Sequence, residues 1–256
     1  MDIKGDLAQI LSGMPIIVPN CNVAITQPTV KDICAFGEDD FLTAVQIIVN
    51  VDRFVGELRQ GNPQLEMLSD FHLLMMALSQ DISIKSLISE FFNIIFPNYK
   101  VIIERNLINF KIEEVKKNIG QLNPMNFEEF QFYLKKLFLP TGIDGDDPDY
   151  NPANEQARQI AEKLKKGNEI RNKLNQEKNS GQVSQSLIGS YTSILSVGMG
   201  MDINIFYNYT LFQLYDSFLR YTTKMQYDFY MRVSTMPMMD TSEMKEPNNW
   251  LDDLYK

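Results

Sequence analysis

Few side chains in this 256-residue chain could carry chemistry. One histidine, His72, and two cysteines, Cys21 and Cys34, supply its imidazole and thiol groups. A Ser/His/Asp or Cys/His site could be built only around His72, and zinc finds neither a His/Cys cluster nor a CxxC spacing. His72 sits within LEMLSDFHLLMMAL, so it is expected as a hydrogen-bonded core or boundary histidine buried in an apolar helix, with a lone ligand or base as the functional alternative. The run TGIDGDDPDYNPAN at 141–154 invites a calcium reading. A twelve-residue calcium loop starting at Asp144 would place Asp146 third and Glu155 twelfth, but Pro148 takes the fifth position, where a ligand is needed, and Asp149 the sixth, where glycine permits the turn. The match fails twice, and an acidic linker is expected instead. The adjacent acids Asp39 and Asp40, Glu128 and Glu129, Asp252 and Asp253 point in different directions on a helix and read as solvated surface. Glycine-rich phosphate loops of the GxxxxGK[ST] and GxGxxG kinds are missing, as are GxSxG, HExxH and DFG. The expectation is a protein that is no enzyme and holds no cofactor or metal.

Apolar contact chemistry is abundant where catalytic chemistry is not. Ten aromatic residues fall between 201 and 233, more than one helix face can hide. Phe212, Tyr215, Phe218 and Leu219, with Leu211 and Leu214, suit an intramolecular core, whereas Tyr221, Tyr227 and Tyr230 fall wider of that stripe and are candidates to meet a partner. Trp250, in the acidic tail DTSEMKEPNNWLDDLYK, is the fourth candidate; the tail either docks elsewhere through its apolar anchors or folds back on its own domain. The chain also has 14 Met, a flexible and polarizable side chain that adapts to varied apolar surfaces. An interaction protein, with homo-oligomers among its assemblies, is therefore preferred to an enzyme.

With 33 acidic against 24 basic residues, the net charge of −9 has the wrong sign for a protein that neutralises phosphates, so no nucleic-acid partner is expected. The longest apolar runs fall short of the ~20 residues of a membrane span, and no leader pattern opens the chain, so no membrane partner and a cytoplasmic product are expected.

The elements that must position these residues read as an α+β fold, predominantly α-helical. Residues 1–140 form an N-terminal α+β domain, 141–154 an acidic linker, 155–235 a helical C-terminal region and 236–256 an acidic tail. PIIV and NVAIT, punctuated by Pro15, Pro19 and Pro28, are short strands or extended packing segments. Helices follow over KDICAFG and GEDDFLTAVQIIVNV. Asp81 or Ser83 caps a helix that stops near Pro97. YKVIIERNLINFKI places apolar runs either side of Glu104, Arg105 and Asn106, which predicts a β-hairpin at 99–112. Asn126 and Glu129 form a capping-box-like start to a helix with an aromatic face, Phe127, Phe130, Leu134, Leu137 and Phe138. A helix from 155 thins out beyond Gly167. Ser184 caps a helix with Leu187, Ile188, Tyr191, Ile194 and Leu195 on one face, closed by VGMG, and Thr210 with Gln213 boxes the start of one that reaches Val233.

Four stretches, PTVKDICAFGEDDF, NPANEQARQIAEKLKKG, IGSYTSILSVGMGMDINIFYNYTLFQLYDSFLRY and EPNNWLDDLY, resemble proteins of the tail-gene blocks of tailed phages and prophages of Gram-positive bacteria, similar to tail assembly chaperones. The resemblance implies a non-enzymatic morphogenesis factor in the host cytoplasm that coats the apolar tape measure protein and helps recruit tail tube subunits. A structural virion protein of the tail, neck or baseplate is the alternative.

Overall fold

A computed structural model describes residues 7–51, 68–104, 107–112, 117–139, 186–236 and 250–251. The expected linker at 141–154, the helix from 155, the Ser184 cap and the tail beyond 236, apart from 250–251, lie outside the described residues. The fold is α+β and predominantly helical, with two small antiparallel sheets.

Ahead of the first sheet lies a short helix, α1 (Leu7–Leu11). β1 (Ile16–Val18) and β2 (Val23–Ile25) pair antiparallel around a 3-10 turn, so both proline-flanked segments are strands. Asn22 closes the turn with φ of 54°, a left-handed conformation that Asn adopts more readily than most residues. Thr29 and Asp32 form a reciprocal capping box at the start of α2 (Val30–Phe36), and α3 (Glu38–Val49) follows directly, burying Phe41, Ala44, Val45 and Ile48 at helical spacing. α4 (Asp70–Gln80) leads into α5 (Ile82–Ile95), whose first turn is capped by the Asp81 carboxylate accepting from the Ser83 and Ile84 N–H groups.

The predicted hairpin is present as β3 (Lys100–Ile103) and β4 (Ile108–Ile112), but a third strand, β5 (Lys117–Leu122), joins it in the order β3-β4-β5. KNIGQL lacks an alternating apolar pattern; its strand state is imposed by pairing with β4 and by close approach to the first sheet at Gly120. α6 (Phe127–Phe138) carries the predicted aromatic face. Its start differs from the predicted capping box: the Asn126 side chain makes no cap bond and instead donates to the Asn20 and Gln121 carbonyls while accepting from Asn123 N–H. Glu129, the other half of the supposed box, accepts from the Asn20 side chain at 2.6 Å. Both groups are drawn away by the turn between β1 and β2, which the sequence does not place beside them.

The three C-terminal helices are α7 (Leu187–Met199), α8 (Ile203–Tyr207) and α9 (Leu211–Ser234). Ser186 caps α7, and the Glu38 carboxylate accepts from the Ser186 hydroxyl and from Ile188 N–H. Thr210 and Gln213 form the predicted capping box. Residues on either side of the predicted 141–154 boundary share one core: Ile188, Tyr191, Leu195, Phe206, Leu211 and Phe212 join the same buried cluster as the N-terminal phenylalanines. That cluster is knit by edge-on aromatic pairs, among them Phe41–Phe138 at 5.2 Å and Phe96–Phe110 at 4.7 Å, each worth ~0.5–1.5 kcal/mol beyond its burial.

Candidate functional site

The two thiols sit in different surroundings. Cys21 is buried below the first sheet, and burial, with the negative charge of Glu129 adding, pushes its thiol up to about 12. Cys34 is exposed on α2, and partial burial followed by Glu38 raises its thiol above the ordinary value too. His72 is not buried as predicted. It lies on the solvent side of α4, where its Nδ1 is 2.8 Å from the Ser69 hydroxyl. The core takes Phe71, Leu73, Leu74, Met75 and Leu78 instead, leaving the stripe through His72 and Ser79 outside. No group of three His, Cys, Asp or Glu side chains among the described residues could hold a metal. His72 overlooks a groove of about 510 Å³ between α4, the first turn of α5 and the end of β3, floored by Met75, Met76, Leu78 and Ile103.

The aromatic stripe of α9 provides a second surface. α7 and α9 run alongside one another: Tyr191 stacks on Phe218 at 4.0 Å and meets Tyr215 edge-on at 5.8 Å, and the Tyr221 ring covers Gly198, where a Cβ would collide with it. Leu211, Phe212, Leu214 and Tyr215 are buried as predicted, and Phe218 and Leu219 are half-buried. Of the expected α7 face, Ile188, Tyr191 and Leu195 are buried, but Leu187 and Ile194 face outward.

Beyond Tyr221, α9 outruns α7, and the seam continues with nothing from α7 to meet it. Its next positions, each four residues further along, are Met225 and Phe229, 53% and 62% exposed. These two were not singled out from the sequence, although their i, i+4 spacing continues the row from Tyr221. Among the predicted partner residues, Tyr221 is used within the chain, Tyr227 and Tyr230 are half-buried on a neighbouring face of α9, and Trp250 is half-buried. The Trp250 carbonyl accepts from Arg220 Nη1 at 3.1 Å, so at this point the tail lies back against α9.

Residues 178–255 match the family model of the YomV second domain. That family is of phage type, and the match is consistent with a phage protein. No curated protein and no solved structure matches the chain significantly. The stretch matching the YomV domain spans α7, α8, α9 and the Trp250 contact, and thus contains the seam and its exposed continuation. Charge along it is locally balanced. Asp216 receives Arg220 Nε through both oxygens at 3.1 Å, and Lys224 meets Asp228 at 2.6 Å. The exposed second pair contributes little to stability and mainly keeps the helix soluble beside its apolar stripe. Among the described residues, no helix is long and apolar enough to cross a membrane.

Proposed function

We propose that this protein is a non-enzymatic phage tail morphogenesis factor, a tail assembly chaperone in kind, which works in the host cytoplasm by covering apolar surface of the tape measure and tail tube proteins. What carries the reading is the unpartnered row of Met225 and Phe229, within the region that matches a phage-type domain. The row extends an intramolecular helix seam, so a helix of a partner can occupy the place that α7 occupies one turn earlier. Two further features support it. The excess of methionine suits varied apolar contacts, and a net charge of −9 keeps a complex with an apolar partner in solution.

The test is co-expression with the tape measure protein of the same phage genome. Wild-type protein should co-purify with the tape and raise its soluble fraction, and Phe229→Asp should lose both effects while remaining folded. Failure of the wild-type protein to retain any tail protein removes the reading. Stoichiometric presence in purified particles, measured by mass spectrometry, would make it a structural virion protein instead.

A further inference from the structure

The far half of α9 has a covered side and an open side. Met225, Phe229, Arg232 and Met236 follow one another at spacings of four, three and four residues, so at ~100° per residue they lie within roughly 60° of one another. Thr235 keeps a right-handed helical backbone (φ −90°, ψ −4°) and Met236 N–H donates to the Val233 carbonyl at 3.0 Å, so the row holds to its last member. Met225, Phe229 and Met236 are each more than half exposed, and Arg232 is exposed as well. Thr223 and Val233, on the other side, are buried. Arg220, which holds the Trp250 carbonyl, precedes Phe229 by about two and a half turns and so points the opposite way. The tail at Trp250 therefore leaves the row open.

The order of the row decides what can cover it. Its spacing reads the same in both directions, so two copies laid antiparallel about a twofold axis place Met225 opposite Met236 of the second copy, and Phe229 opposite its Arg232. Methionines adapt to one another, and a guanidinium is attracted to the negative face of an aromatic ring. Among the described residues the Arg232 guanidinium has no hydrogen bond or ion pair, so it is available to that ring. A parallel pairing would instead set Arg232 against its own copy. Charge also favours this face. The chain carries a net charge of −9, so two copies repel, but α9 holds three bases, Arg220, Lys224 and Arg232, against two acids, Asp216 and Asp228.

We propose that in the free protein this row is covered by the same row of a second copy, in an antiparallel twofold pair of α9 helices. The inference rests on the reading of the row as a docking surface and names what occupies it before a tail protein does. A twofold contact closes at two chains, so the open row does not run on into filaments. Contact along about three turns of helix falls below the ~800 Å² per partner of a standard interface, so the pair is weak, with a Kd on the order of tens of micromolar, and a partner helix can replace it. At the few-micromolar concentrations of a denaturation experiment the chain is single.

The test is sedimentation velocity of the full chain from about 2 to about 400 µM, with no tail protein present. Wild-type protein should pass from one chain to two and stop there. Phe229→Lys sets a cation against Arg232, and Arg232→Glu sets an anion against the Phe229 ring face, so each should weaken pairing by roughly tenfold or more. Mixed in equal amounts, the two variants should pair with each other to within about threefold of wild type, because the new cation of one faces the new anion of the other while the second Phe229–Arg232 contact stays intact. Both positions are exposed, and an unchanged Tm at about 2 µM confirms that the variants fold. A wild-type chain that stays single at the highest concentration, single variants that pair as tightly as wild type, or a mixture that pairs no better than either variant alone overturns the proposal. The two readings fail separately. A pair that retains no tape measure protein leaves this inference standing and removes the chaperone, whereas a chain that stays single yet retains the tape removes only the pair.

Discussion

Truncating two phenylalanines of α9 to alanine should have opposite consequences. Phe212 is 3% exposed, inside the cluster shared by both halves of the chain, whereas Phe229, nearly five turns on, is 62% exposed. Phe212→Ala removes a buried ring and leaves a cavity, which costs ~3–5 kcal/mol. At ~2–4 °C per kcal/mol for a chain of this size, its Tm should fall by roughly 6–20 °C. Phe229→Ala removes contacts mostly with water, and alanine is the better helix former, so stability should change by no more than ~0.5 kcal/mol. Guanidinium denaturation followed by far-UV circular dichroism measures both, with unchanged m-values confirming that the native states compare. Recovery of the tape measure protein on co-purification supplies the second readout. It should drop for Phe229→Ala and persist for Phe212→Ala at a temperature where that variant is folded. Equal destabilisation by the two substitutions would mean that the α9 stripe is covered from within, and the docking argument would fail.

Two further outcomes follow from the packing. Gly120→Ala should destabilise by ~1–3 kcal/mol or more, although alanine is ordinarily the better strand residue; its Cβ would run into the Cys21 carbonyl and the Val23 side chain, with the Asn22 carbonyl at 3.0 Å, and thermal denaturation at the wild-type Tm would expose the error. Near neutral pH a disulfide reagent should titrate Cys34 alone in the native protein and Cys21 only on unfolding. Because folding raises the Cys21 value, that contribution to stability is complete below the ordinary thiol value of 9.0 and declines as pH climbs from there towards about 12, by up to ~1.4 kcal/mol per pH unit. A Cys21→Ala protein should lack that part of the alkaline slope.

The elements that could be read from sequence are those with local causes. Thr210 and Gln213 carry their own box, Asp81 its own cap, and the apolar runs about Glu104 their own hairpin. What escaped has distant causes. β5 is a strand because β4 pairs with it and the first sheet presses on Gly120, while Asn126 abandons its cap for carbonyls of the β1–β2 turn and of β5. The apolar letters around His72 do not reveal that one narrow stripe of α4 stays wet, since that depends on which neighbours arrive. On α9 the sequence singles out Tyr221, Tyr227 and Tyr230, whereas the positions most exposed beyond the seam with α7 are Met225 and Phe229. The length of α7 decides which positions stay uncovered, and that length ends at Gly200, in a left-handed turn with φ of 66°.

The boxed starts of α2 and α9 lie back to back: Thr29 and Thr210 form a single β-bridge, Val30 N–H donates to the Tyr209 carbonyl, and the Gln213 side chain reaches the Leu11 carbonyl at 2.6 Å. A nascent chain therefore leaves the ribosome with its first helices unsealed. Until α9 is synthesised, greasy flanks around Val30 and Ile33 await cover, and fragments interrupted before it should be prone to clumping.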